Sequence, residues 1–205
     1  MYWKTADVAG SEERLTTSGN FQNPGSISPD GANLAFFEED PITGVDIWTL
    51  PLKDRKPQPF ARTPFNEGNP AFSPDGRWLA YQSDESGRDE IYAQPFPGPG
   101  AKILISTEGG TEPLWSRDGR ELFYRNGDKM MSVATTLQPT LRASKPELLF
   151  ERPYWNYPYY PAYDVSPDGR RFLIVKENEA AAAATAMNVV LNWFAEVKQK
   201  AAAKR

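Results

Sequence analysis

Asn69-Pro70-Ala71-Phe72-Ser73-Pro74-Asp75-Gly76-Arg77-Trp78-Leu79-Ala80-Tyr81 reads as one strand, a tight corner and a second strand. Proline presets φ at the first corner position, the aspartate carboxylate accepts from nearby backbone amides, and glycine takes the positive φ that closes the turn. The corner recurs as Ser28-Pro29-Asp30-Gly31 and Ser166-Pro167-Asp168-Gly169, with Ser116-Arg117-Asp118-Gly119 as a one-residue variant. Asp30, Asp75, Asp118 and Asp168 lie 45, 43 and 50 residues apart. An apolar residue precedes each serine, and Leu34/Phe36, Leu79/Tyr81, Leu122/Tyr124 and Phe172/Ile174 follow at period two. That alternation predicts strands with one core-facing side.

A repeat of this length is one supersecondary unit that buries a core only by stacking on its neighbours. A third strand is predicted at Asp46-Ile47-Trp48, Glu90-Ile91-Tyr92, Lys129-Met130-Met131 and Asn188-Val189-Val190-Leu191. A fourth is predicted near Gln58 to Ala61, Ile103 to Ser106 and Glu147 to Phe150. The fold expected is therefore all-β: a β-propeller of four-stranded antiparallel blades, about four in number, or a partial propeller or open arc. One domain is expected over residues 1–198. Residues 1–18 supply the third and fourth strands of a split blade; blades occupy 24–63, 69–107 and 111–150, and a last partial blade occupies 161–194. Residues 195–205 form a tail of good helix formers, after an alanine-rich stretch at Glu179 to Ala186. The reading also expects the chain to start halfway through a blade and to be a fragment of a longer parent, with a homodimer of two arcs as one way to complete the ring.

Composition narrows the function. The 205 residues carry 23 Lys and Arg against 27 Asp and Glu, for a net charge of −4. Phosphate backbones need clustered cations, so no nucleic-acid partner is expected. No run of 18 apolar residues occurs, and Met1 to Gly10 lacks the basic-then-apolar layout of a signal peptide, so no membrane insertion by this chain is expected. Cysteine is absent, which removes disulfides and thiolate metal sites; histidine is absent too. A Ser-His-Asp triad, a histidine zinc site and an imidazole general base are excluded with it. The expectation is a chain with no catalytic residue, no metal and no cofactor.

Binding residues are sought where loops enter the innermost strands, since loops at one end of a rigid scaffold carry function. Asn23, Asn69, Glu112 and Tyr160 form the expected ring at a channel mouth; the bland alternative is solvated loop. Trp155, Tyr157, Tyr159 and Tyr160 belong to the aromatic run Arg152 to Pro161, suited either to contacting a protein or carbohydrate or to plugging the gap between blades. The aspartates Asp30, Asp75, Asp118 and Asp168 and glycines Gly31, Gly76, Gly119 and Gly169 are read as structural turns, too widely spread to share a metal ion. The acidic groups Glu38-Glu39-Asp40 and Asp84, Glu85, Asp89 and Glu90 are read as solvated turns on the wet outer part of a blade.

The strand, Ser-Pro-Asp-Gly corner and second strand resemble the repeats of the TolB-like propeller family, related in shape to WD repeats. Gly109 to Tyr124, Tyr163 to Gly169 and Val189 to Phe194 resemble the C-terminal propeller of bacterial eukaryotic-like serine/threonine kinases. That resemblance implies a sensor or interaction domain beyond a membrane span, in a periplasmic or extracytoplasmic compartment. Kinase activity does not carry over, because the chain has no Gly-rich phosphate loop, no His-Arg-Asp and no Asp-Phe-Gly. The function expected is a non-catalytic binding module of a larger bacterial signalling protein, taking a protein, peptide or glycan on its loop face. The alternative is the substrate-gating propeller of a prolyl-oligopeptidase-like hydrolase without its catalytic domain.

Overall fold

Each Ser-x-Asp-Gly corner closes in the same way. In the second repeat the Ser73 hydroxyl donates to Asp75 Oδ1 at 2.6 Å and accepts the Trp78 amide at 3.0 Å, while Asp75 Oδ1 also accepts the Arg77 amide at 3.1 Å. Gly76 donates its amide to the Ser73 carbonyl at 2.8 Å, with φ of 70°. Gly31, Gly119 and Gly169 sit at 71°, 70° and 71°, so the variant with Arg117 builds the same corner. Such φ values are open to glycine at little cost.

The computed structural model describes residues 1–6, 10–154 and 161–176. Trp155, Tyr157, Tyr159 and Tyr160, the strand expected at 188–191, the alanine-rich stretch and the tail lie outside the described residues. Residues 1–175 form one unit. Among the described residues every regular element is a strand.

A front hairpin pairs β1 (Tyr2–Trp3) with β2 (Glu13–Arg14). The first four-stranded sheet runs β3 (Gln22–Ile27), β4 (Asn33–Asp40), β5 (Gly44–Pro51), β6 (Gln58–Ala61). The second runs β7 (Glu67–Phe72), β8 (Trp78–Ser83), β9 (Glu90–Pro95), β10 (Ile103–Leu104). In the third, β11 (Thr111–Trp115) pairs with β12 (Glu121–Asn126) and that with β13 (Lys129–Thr136), which pairs with both β14 (Arg142–Ala143) and β15 (Glu147–Glu151). A last hairpin joins β16 (Tyr163–Val165) to β17 (Phe172–Ile174). All pairings are antiparallel and, apart from β13 with β15, join neighbours in sequence, the blade pattern of a partial or open propeller.

The sheets stack face to face. Ala35, Ile47 and Ala61 of the first meet Phe72, Leu79, Tyr81 and Tyr92 of the second. Trp78, Ala80, Ile91 and Ala93, on the other face of the second sheet, meet Trp115, Leu122, Tyr124 and Val133 of the third. Phe123 and Met130 then meet Tyr163, Phe172 and Ile174. The expectation of one core-facing side is corrected here. Trp78, Leu79, Ala80 and Tyr81 are all buried, because a blade between two neighbours must be apolar on both faces. Packing is tightest where innermost strands approach: a Cβ added to Gly25 would lie 2.6 Å from the Pro70 carbonyl oxygen, so only glycine fits.

Candidate functional site

At the end opposite the Ser-x-Asp-Gly corners, the innermost strands of the first three sheets, β3, β7 and β11, each carry one extra residue. Register shifts occur between Pro24 and Ser26, between Gly68 and Ala71, and between Thr111 and Leu114. These are β-bulges, which re-aim side chains and bend the strand. In the second and third sheets the bulge holds Asn69 and Glu112 at positive φ, 52° and 57°, each immediately before a proline. Asparagine tolerates that region; glutamate does so only where its surroundings compensate.

The compensation for Glu112 comes from the second sheet and the last hairpin. Its amide donates to Gln82 Oε1 of the second at 3.2 Å, and its carbonyl accepts the Tyr163 hydroxyl at 2.8 Å. Its carboxylate Oε2 accepts the Ala162 amide at 2.7 Å. Gln82 Oε1 also accepts Asn69 Nδ2 at 2.8 Å, so Asn69, Gln82 and Glu112 form one chain of contacts across adjacent blades. Burial raises the Glu112 pKa, opposed by the Ala162 amide and the charge of Arg125. Arg125 is itself buried, and its Nη2 donates to the Gly127 carbonyl at 2.9 Å and the Tyr154 carbonyl at 3.4 Å.

Beside this chain, a cavity of about 230 Å³ opens between the first and second sheets. Phe37 and Val45 wall it on one side; Glu67, Asn69, Gln82 and Asp84 wall it on the other. Asp84 is fixed by Asn66, whose amide donates to Oδ1 at 2.9 Å and whose side-chain Nδ2 donates to Oδ2 at 2.7 Å. Glu67 is 1% exposed; it accepts the Thr63 hydroxyl through Oε1, and its Oε2 has no partner. Burial pushes its pKa up to about 7, with Asp46 adding to the rise and the Thr63 hydroxyl and Lys102 opposing it.

The structure thus brings together two of the residues expected at the mouth, Asn69 and Glu112. Both correct the expectation of loop positions, since they lie buried within strands. Asn23 lies half-buried in β3, with its register partner Phe37 on the cavity wall. The reading of Glu90 as a solvated turn residue is also corrected. It is buried, accepting the Ser106 hydroxyl, the Gly109 amide at 3.0 Å and Arg88 Nε at 2.7 Å. Sequence reasoning passed over Glu67, Gln82 and Arg125. The available signal was a polar or charged group interrupting an apolar strand, as Arg125 does after Leu122-Phe123-Tyr124.

The stacked sheets, shared corners and shared bulges are those of one repeat family, and residues 16–147 match the model of the TolB beta propeller domain. The chain belongs to the TolB β-propeller family. Solved TolB from Acinetobacter baumannii superposes on this TolB-type propeller with a TM-score of 0.57 at 18% identity, covering 84% of this chain and 42% of that one. Similar sequences include the uncharacterized peptidase YuxL of Bacillus subtilis, 32% identical over 46% of this chain and 16% of that protein. Tricorn protease homolog 1 of Streptomyces coelicolor is 29% identical over 67% of this chain and 12% of its own length. The chain therefore spans a small part of the curated relatives it matches. Among the described residues of this TolB-type chain, no three carboxylates converge to hold a metal ion, and no helix is long and apolar enough to cross a membrane.

Proposed function

We propose that this TolB-type propeller is a non-catalytic binding module that grips a polypeptide partner at the bulged ends of its innermost strands. The observation that carries the reading is the convergence of Asn69, Gln82, Glu112 and the adjoining cavity on one end of the stack. A rigid scaffold holding a concavity with few placed polar groups suits recognition. The groups present favour it over chemistry: Asn69, Gln82 and Glu112 are tied to one another and to the last hairpin through Gln82 Oε1, the Glu112 carbonyl and Glu112 Oε2, Glu112 Oε1 is buried without a partner, and no nucleophile–base pair is among them. A glycan is the less favoured occupant, since the one aromatic on the cavity wall is Phe37.

A second reading, a substrate-gating propeller within a longer hydrolase, draws support from relatives named as a peptidase and a tricorn protease homolog. Both readings share polypeptide binding without cleavage; the sensor role in a signalling protein is the other setting for it. The test is fluorescence polarisation of the full chain against a set of unstructured dodecapeptides, followed by mass spectrometry of each peptide. Saturable binding of some peptides, weakened at least about tenfold by Gln82→Ala, with every peptide intact, is expected. Cleavage of any peptide, or binding indifferent to Gln82, overturns the proposal.

A further inference from the structure

We infer that the cavity between the first and second sheets receives a cationic nitrogen group, an ammonium or a guanidinium, carried by the polypeptide partner. This rests on the binding face proposed above and names the chemistry that one part of it selects.

Glu67 is the starting point. A carboxylate 1% exposed with one oxygen unpartnered is an uncompensated buried group, costly in itself and relieved by any donor that reaches it. The cavity it lines is the route for such a donor. At about 230 Å³ the space exceeds several times the roughly 30 Å³ that one water occupies in the liquid, so it admits a side-chain head.

The surroundings select the sign of the charge. Asp84 and Asp89 line the same cavity, and Asp46 adds a further negative field at Glu67. The cations near this ensemble are already engaged. Lys102, the one whose field reaches Glu67, is ion-paired with Glu85. Arg62 is paired with Asp40 at 3.3 Å and Asp46 at 3.5 Å. An anionic or purely apolar ligand would meet only repulsion or unpaired oxygens. Phe37 and Val45 offer an apolar wall for the aliphatic stem that carries an ammonium or guanidinium. A metal ion suits the cavity less well, since a hard cation wants six or more converging oxygens and no three carboxylates meet among the described residues.

An entering cation holds Glu67 ionised, and because burial places its pKa at about 7, binding at neutral pH expels a proton. The affinity therefore rises with pH through that region. Asp46, Asp84, Asp89 and Lys102 face the site throughout. Burial raises the Asp46 and Asp89 carboxyls in the same direction as that of Glu67.

The experiment titrates the full chain with methylguanidinium, with n-butylammonium, with neutral N-methylacetamide and with calcium chloride, following the Gly68 and Gln82 amides by NMR at pH 5.5 and pH 8. Saturable shifts with one or both nitrogen cations, at least about tenfold tighter at pH 8 and absent with N-methylacetamide, are expected. Glu67→Gln, which retains an oxygen for Thr63, is expected to remove both the tight binding and its pH dependence. Indifference of these amides to both cations, equal binding by Glu67→Gln, or saturation by calcium instead overturns the inference. If dodecapeptides still bind in a Gln82-dependent way while Glu67→Gln changes nothing, the binding face stands and the cation pocket alone fails.

Discussion

Glu67 ties one residue's burial to the pH dependence of the whole fold. Its carboxyl titrates at about 7 in the folded chain against 4.5 when solvated, so between those values the folded state holds a proton that the unfolded state has released. A raised carboxyl pKa contributes stability that is fully present below pH 4.5 and lost as pH rises through about 7. The loss is on the order of 3 kcal/mol. Glu67→Gln is therefore expected to leave the melting temperature unchanged near pH 4.5 and to raise it above pH 7. Thermal melts of both proteins across that range check it; parallel curves would show that burial does not hold the proton. None of this is legible in the sequence. Glu67 reads as one more acid before a strand, because its wall of Phe37 and Val45 belongs to a different sheet and to residues more than twenty positions earlier.

The corner is the element that the sequence states most clearly, because every bond in it is local. Its worth nevertheless depends on where the stack puts it. Ser73 is wholly buried and its hydroxyl is the partner of the Trp78 amide, whereas Ser166 accepts the Arg171 amide at an exposed corner. Ser73→Ala strands a buried donor and is expected to cost about 1–3 kcal/mol; Ser166→Ala lets water replace the hydroxyl and is expected to cost about 1 kcal/mol or less. Urea unfolding of the two variants separates them, and equal losses would mean that the corner acts alone, without regard to burial. The same contrast explains what pattern reading reached. Corners and strand positions follow from proline, glycine and period two. The bulges at Asn69 and Glu112 do not, since an extra residue in a strand shows only against its partner's register. Nor does the apolar second face of β8, since Ala80 and Trp78 gain their burial only when the third sheet arrives.

On the scale of the whole unit, stability resides in the seams between sheets, as expected where each repeat touches only its neighbours. Trp115 marks the seam between the second and third sheets: its ring joins the cluster with Trp78, Ile91 and Tyr124, and its Nε1 donates to the Ala71 carbonyl at 3.1 Å. Trp115→Ala is expected to cost about 3–5 kcal/mol, from lost burial and the void left behind. Trp115→Phe keeps most of the apolar volume and is expected to cost less. The distribution of the damage is the sharper test. If nearest-neighbour seams carry the fold, amide exchange in Trp115→Ala accelerates first in β8, β9 and β11 to β13, which border the void, and last in β4 and β5, which are held by the seam of Ile47, Leu79 and Tyr81. A uniform rise in exchange across all strands would instead mean that the sheets unfold together as one cooperative body. In that case the Asn69–Gln82–Glu112 chain would be transmitting strain between seams rather than closing each one locally.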